Sequence, residues 1–110
     1  MEHEIIEKPG ASVVVFSGEI DLQSSPVARE ILIKCFKKTG KTKVIVDLSE
    51  VSYIDSSGVA SLVEALQAAK KSGGMFALAA TSEPTRRVLE LARLDKVFTM
   101  FDTVDEGLSS

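Results

Sequence analysis

Apolar residues fall along this chain in short blocks whose spacing alternates between a strand period and a helix period. "ASVVVFSGEI" (Ala11–Ile20) is apolar and β-branched, follows a Lys-Pro-Gly turn, and predicts a buried strand. "EHEIIEK" (Glu2–Lys8) precedes it and pairs as an edge strand through Lys8-Pro9-Gly10. Ser25-Pro26 reads as a helix cap followed by proline at the first helical position. Val27, Ile31 and Cys35, with Leu32 and Phe36 beside them, then mark one helix face. Gly40 is the expected stop, with Lys34, Lys37 and Lys38 complementing the negative helix end.

The second half repeats this grammar. "KVIVDL" (Lys43–Leu48) has the near-continuous apolar character of a central strand covered on both faces. Val59, Leu62, Val63 and Leu66 fall at helical spacing, and Lys70-Lys71 and Gly73-Gly74 close that helix. "MFALAA" (Met75–Ala80) is a further buried strand. Ser82 caps a third helix with Pro84 in its first turn and Val88, Leu91 and Ala92 as its buried side. "VFTMF" is a short last strand, and "TVDE" (Thr103–Glu106) is a capping box opening a final helical turn or two. The order predicts a single α/β domain over residues 1–110. Its sheet is mixed, with about four to five strands, about four helices and parallel members joined by helical crossovers. Helices are expected to cover one sheet face in full and leave the other partly open.

Composition narrows the function classes. Charge is −3 overall and aromatics are 5% with no Trp, so neither nucleic acid nor an anionic membrane is the expected partner. No run of about 18 apolar residues predicts a membrane span, and no leader pattern opens the chain. Cys35 is the lone cysteine, which suits a reducing cytosol, so a cytoplasmic location is expected.

The chemistry concentrates at one junction. Asp55, Ser56, Ser57 and Gly58 lie where a strand hands over to a helix. A serine there can simply cap the helix, worth about 1 kcal/mol. It can also hold a hydroxyl out for chemistry done by another protein, since strand ends in α/β sheets are where sites gather. The tetrapeptide alone leaves both readings open.

The longer segment "VDLSEVSYIDSSGVASLVEAL" resembles the central motif of the STAS domain family, the anti-sigma factor antagonists of bacterial partner-switching systems. An apolar strand ending in Asp47-Leu48, an aromatic Tyr53 and then Asp55-Ser56-Ser57-Gly58 match that pattern. "FSGEIDLQSS" (Phe16–Ser25) is similar to the family's second signature, and the element order agrees over nearly the whole chain. The resemblance implies that Ser56 is the phosphorylation site and that Ser57 is not the acceptor. It implies that Asp21 lies near the acceptor and helps the kinase reaction, and that Asp21, Asp55, Ser56, Ser57, Gly58 and Val59 meet the partner. The implied partners are an anti-sigma factor acting as serine kinase, which would bring ATP and Mg²⁺ to the complex, and a serine phosphatase. No cofactor or metal is expected on this chain itself. Family members often continue Gly-Leu-Gly where this chain has Gly58-Val59-Ala60, a change within the first helical turn of the contact surface.

Other residues take plainer readings. Asp21 can be a turn carboxylate capping the next helix, Asp47 a structural acceptor for loop amides, and Glu19 a solvent-facing strand residue. His3 has no second imidazole to form a metal site or a Ser-His pair. Cys35 reads as an apolar filler, and Met75 and Phe76 as core. Arg86 and Arg87 read as an exposed pair on the third helix. "KKSGG" lacks the Walker arrangement, and no nucleophile elbow is present, so no enzyme is expected. Two alternatives stand beside the switch: a subunit of a lipid-transporter assembly that binds through the same surface, and a small-molecule sensor or enzyme with a pocket near Asp21 and Asp55.

Overall fold

A computed structural model describes residues 1–39 and 43–110. Nine elements follow in the order β1 (Glu2–Lys8), β2 (Ala11–Ile20), α1 (Ser25–Thr39), β3 (Lys43–Ile54), α2 (Ser56–Ser72), β4 (Met75–Ala79), α3 (Glu83–Leu91), β5 (Thr99–Phe101) and α4 (Val104–Ser109). The strands form one sheet in chain order, β1-β2-β3-β4-β5. The first pair is a hairpin and the other three are parallel. This is the mixed α/β sheet with four helices that the pattern predicts. The expected helix stop at Gly40 lies outside the described residues.

Strand alternation divides the interior in two. Val14, Phe16, Val44, Val46, Phe76 and Leu78 point into the larger core, where Ala28, Leu32 and Phe36 of α1, Leu62 and Ala65 of α2 and Leu89 of α3 meet them. Phe36, Phe76 and Phe98 stand in a row at 6.2 Å centroid separations and tie α1 to β4 and the approach to β5. The alternate residues Val13, Ile45, Ala77 and Ala79 form a second cluster on the opposite face, covered by Val104 and Leu108 of α4. As expected, one face carries three helices and the other only a short one. Lys43 Nζ donates to the carbonyls of Gly107 and Ser110 at 3.1 and 2.7 Å, placing an ammonium at the negative end of α4. Thr103 Oγ1 accepts from the Glu106 amide at 3.1 Å, as the capping pattern predicts.

Several boundaries and faces differ from expectation. β3 runs six residues beyond Leu48. Opposite Val15–Ile20 of β2 it spans Asp47–Ile54, two residues more, through two register shifts. Those bulges turn Leu48, Val51 and Ile54 all toward the core at a spacing of three, which no strand period reveals. Gly18, at φ +87°, lies between the two irregularities, a conformation open to glycine. On α1 the buried stripe is Ala28, Leu32 and Phe36, while Val27 is exposed and Ile31 and Cys35 are half-buried. On α3 the buried residues are Thr85 and Leu89, and Leu91 is 80% exposed. Ala92 is exposed as well. This helix ends one residue before Ala92 and its stripe turns a step earlier. Ser82 holds the N-cap position of α3 as expected and its carbonyl accepts from the Arg86 amide, but its side chain accepts no helix amide. Its hydroxyl lies 2.7 Å from the Val51 carbonyl and 3.0 Å from Thr85 Oγ1 and so pins α3 to the bulged end of β3.

The α1 register is open to a direct check. Leu32→Ala should lower unfolding free energy by about 2–5 kcal/mol, whereas Val27→Ala should change it by less than about 0.5 kcal/mol. Urea denaturation of both variants measures the contrast, and equal losses would refute the assigned face.

Candidate functional site

The site begins with two loops at the carboxyl ends of β2 and β3. These strands are parallel neighbours, so the chain leaves both at the same side of the sheet and enters α1 and α2 there. Asp55 is the residue between β3 and α2. Its Oδ1 accepts from the Gly58 amide at 3.0 Å, which makes Asp55 the helix cap. Its Oδ2 accepts from the Leu22 amide at 3.1 Å, in the loop after β2. The Asp55 amide donates in turn to the Ile20 carbonyl at 3.3 Å. One residue thus starts a helix and fastens two loops.

Gly58 makes that junction sterically feasible. A Cβ there would lie 2.5 Å from the Ile20 carbonyl oxygen and 2.6 Å from Ile54 Cγ1. The first turn of α2 therefore rests directly on the last residues of β2 and β3, and only glycine permits the approach.

The loop after β2 is a turn built by Asp21. Its Oδ1 accepts from the amides of Gln23 and Ser24 at 3.1 and 3.0 Å. Its own amide donates to Ser24 Oγ at 2.9 Å. Ser24 Oγ lies 3.0 Å from both Asp21 Oδ1 and the Glu19 carbonyl oxygen, and its one proton can go to either. These bonds, those from Ser24 first, favour the ionised carboxylate and lower the pKa of Asp21 from its ordinary value. The Ser24 carbonyl receives the first bonds of α1 from Val27 and Ala28, so the cap lies one residue before the expected Ser25.

The six residues expected at the site do converge at this end of the sheet, in different postures. Ser56 is exposed at the first position of α2, and none of the hydrogen bonds of the described residues engages its hydroxyl. The simple expectation that a serine caps this helix is corrected: the Asp55 carboxylate already occupies the capping position. Ser57 is half-buried and lines a shallow groove of about 360 Å³ between α1 and α2 with Ser25, Pro26 and Ala60. An ion pair from Arg29 Nε to Glu64 Oε2 at 2.6 Å bounds that groove. Gly58 and Val59 are buried, Val59 in the larger core, so they hold the surface from beneath and do not form it. The Asp21 carboxylate accepts its hydrogen bonds from its own loop, and the next residue, Leu22, donates to Asp55, the neighbour of Ser56.

Sequence reasoning missed the apolar rim. Leu22 is 72% exposed, and Val27 and Tyr53 are each 49% exposed, on the loop after β2, on α1 and near the end of β3. A leucine in an otherwise polar turn, "DLQSS", was the available signal. Asp47 Oδ1 accepts from the Ser49 amide at 2.9 Å, the structural role its position suggests. Among the described residues no helix is long and apolar enough to cross a membrane, and no three His, Cys, Asp or Glu side chains are grouped to hold a metal.

A mixed sheet whose two parallel strands β2 and β3 end in stitched loops, with an exposed hydroxyl at the helix start beside them, defines the class as an α/β domain with its chemistry at one end of the sheet. Residues 2–107 match the model of the STAS domain, and the chain belongs to that family. It is 33% identical to the anti-sigma-B factor antagonist of Bacillus subtilis, covering 86% of this chain and 85% of that one. It is 29% identical to the anti-sigma-F factor antagonist RsfB of Mycobacterium tuberculosis, over 96% and 84% of the two chains. The crystal structure of an anti-sigma factor antagonist from Mycobacterium paratuberculosis superposes with a TM-score of 0.85 at 29% identity, covering 98% of this chain and 91% of the other. By name, each of these relatives is an antagonist of an anti-sigma factor.

The stitching predicts a graded series. Asp55→Ala should cost about 1–2 kcal/mol for the cap and a further contribution for the orphaned Leu22 amide. Asp55→Asn, with one carbonyl oxygen in place of two, should cost less than alanine. Gly58→Ala should cost about 1–3 kcal/mol through overpacking. Denaturant unfolding ranks the three, and an Asp55→Ala protein as stable as the parent would refute the double role. Asp21 adds a pH term. Its folded pKa is depressed, so its stabilisation is present above the ordinary carboxylate value and lost as pH falls through the lowered one. Asp21→Asn should therefore flatten the acid limb of the stability profile below about pH 4.

Proposed function

We propose that this chain is an anti-sigma factor antagonist in a partner-switching system. It binds an anti-sigma factor with serine-kinase activity when Ser56 is unmodified and releases it when Ser56 carries a phosphate. The observation that carries this reading is the posture of Ser56. It is the exposed serine of the pair, and its hydroxyl is not needed for capping because Asp55 does that work. Ser57 lies against α1 and is the less reachable of the two. The named activities of the relatives supply the partner class.

The switch follows from charge and desolvation. Phosphorylation adds about −1.5 to −2 charges and several acceptor oxygens. The first turn of α2 holds no acidic side chain, and its unpaired amides and helix dipole tolerate the dianion, so the fold survives modification. A partner that covers Leu22, Val27 and Tyr53 would have to desolvate that dianion beside the Asp55 carboxylate, which accepts from two amides. Loss of about 3 kcal/mol weakens a complex more than a hundredfold. ATP and Mg²⁺ act on the kinase, and a separate phosphatase resets the serine.

With the cognate kinase and ATP, Ser56→Ala should take up no phosphate and still bind the partner. Ser56→Asp should bind at least about tenfold more weakly, a loss of about 1.4 kcal/mol. Tandem mass spectrometry locates the phosphate and calorimetry reads the affinity. Phosphate found on Ser57, or equal affinity of the modified and unmodified chains, would overturn the assignment.

A further inference from the structure

The sheet ends in two unlike edges. β5 is three residues long and offers little backbone to a neighbour. β1 is seven residues long and exposed throughout, and among the described residues it pairs only with β2 in the sheet. Its register with β2 sets Glu2, Glu4, Ile6 and Lys8 on the sheet face of Val13 and Val15, and His3, Ile5 and Glu7 on the face of Val14 and Phe16. The Ser12 hydroxyl donates to Glu7 Oε1 at 2.8 Å, which holds that carboxylate over the strand. A free edge of this length is a template for another strand, and its charges decide which strand fits.

The charges of β1 complement their own reverse. A second copy related by a two-fold axis must pair residues whose backbone groups point the same way, so the axis passes through a residue. With the axis at Ile5 every residue of the strand is paired. Glu2 then faces Lys8, His3 faces Glu7, Glu4 faces Ile6, and Ile5 faces its own copy. Ile5 is 42% exposed and would be covered by that contact. The neighbouring registers fail by charge or by length. An axis at Glu4 opposes Glu4 to itself, one at His3 sets Glu2 against Glu4, and one at Glu7 opposes Glu7 to itself. An axis at Ile6 avoids like charges but leaves Glu2 and His3 without partners in the strand.

We propose that the outer edge of β1 is a self-association surface, where a second copy of this chain adds antiparallel about Ile5 and extends the two five-stranded sheets into one. A contact of this size falls in the class below about 1,200 Å², so the dimer forms and dissociates with concentration and is not obligate. None of the residues assigned to the serine site lies on β1, so dimerisation and phosphate uptake are read independently.

Sedimentation equilibrium from micromolar to millimolar protein provides the test. The parent chain should move from monomer to dimer and stop there. Ile5→Lys opposes two ammonium groups at the axis and should raise the dissociation constant on the order of tenfold or more. Lys8→Glu should weaken the dimer by setting two carboxylates against each other, and Glu2→Lys combined with Lys8→Glu should restore it by exchanging the charges. Circular dichroism verifies that each variant keeps its fold, and the charge exchange decides the matter if Ile5→Lys does not. A chain that stays monomeric at every concentration, as expected if the edge serves another protein's extended segment, overturns the proposal. So does a dimer indifferent to both Ile5→Lys and the charge exchange.

Discussion

The Asp55 carboxylate is the tie on which the functional end of this molecule depends. Its two oxygens accept from amides in different loops, one at Gly58 in α2 and one at Leu22 after β2. Those loops are separated in sequence by α1 and β3 and meet only because β2 and β3 are adjacent and parallel. An ionised acceptor gains about twice what a neutral one does from each bond, so one side chain can hold both. Because a carboxylate does the capping, the serine behind it is left unengaged. The same atoms that stabilise the helix start also keep a hydroxyl available.

Packing makes this end stiff. The first turn of α2 sits on the Ile20 carbonyl with no room for a methyl group, and Val59 is anchored in the larger core one residue later. Ser82 holds α3 to the bulged end of β3 from the other side. Ser56 therefore projects from a backbone fixed on both flanks. A modification there alters the surface without an adjacent hinge to move.

Much of this architecture was legible in the sequence, for identifiable reasons. β1, β2, β4 and the second helix follow clean periods bounded by Pro-Gly, Gly-Gly and serine punctuation, and the observed elements keep those limits closely. β3 did not, because its two bulges replace alternation with a spacing of three, and a strand that breaks its own period reads as a loop. The faces of α1 and α3 were each misjudged for one reason. Small or polar residues, Ala28 in one and Thr85 in the other, hold buried positions while larger apolar neighbours stay outside. Hydrophobicity alone cannot rank Ala28, fully buried, ahead of Val27, half exposed. At the site, the motif located the right tetrapeptide but not the division of labour inside it. Asp55, Ser56 and Ser57 are all competent caps by residue type, and the extended backbone at Asp55, with the helix starting at Ser56, makes the carboxylate the cap.

The apolar rim completes the physical logic of the proposed switch. Leu22, Val27 and Tyr53 are weak attractors individually, yet a partner that covers them together with Ser56 would exclude water from that serine. Excluding water lowers the local dielectric and makes every unpaired charge beneath more costly. A hydroxyl tolerates that burial, since one proton and two lone pairs are readily matched. A phosphate dianion beside Asp55 does not, unless the partner brings cations of its own. Had Ser56 stood among solvated lysines and glutamates, the same modification would have been screened within a Debye length and read only weakly. In the proposed switch, discrimination therefore comes from the contrast between a single modifiable hydroxyl and the exposed apolar side chains near it, with the stitched loops holding the backbone in place.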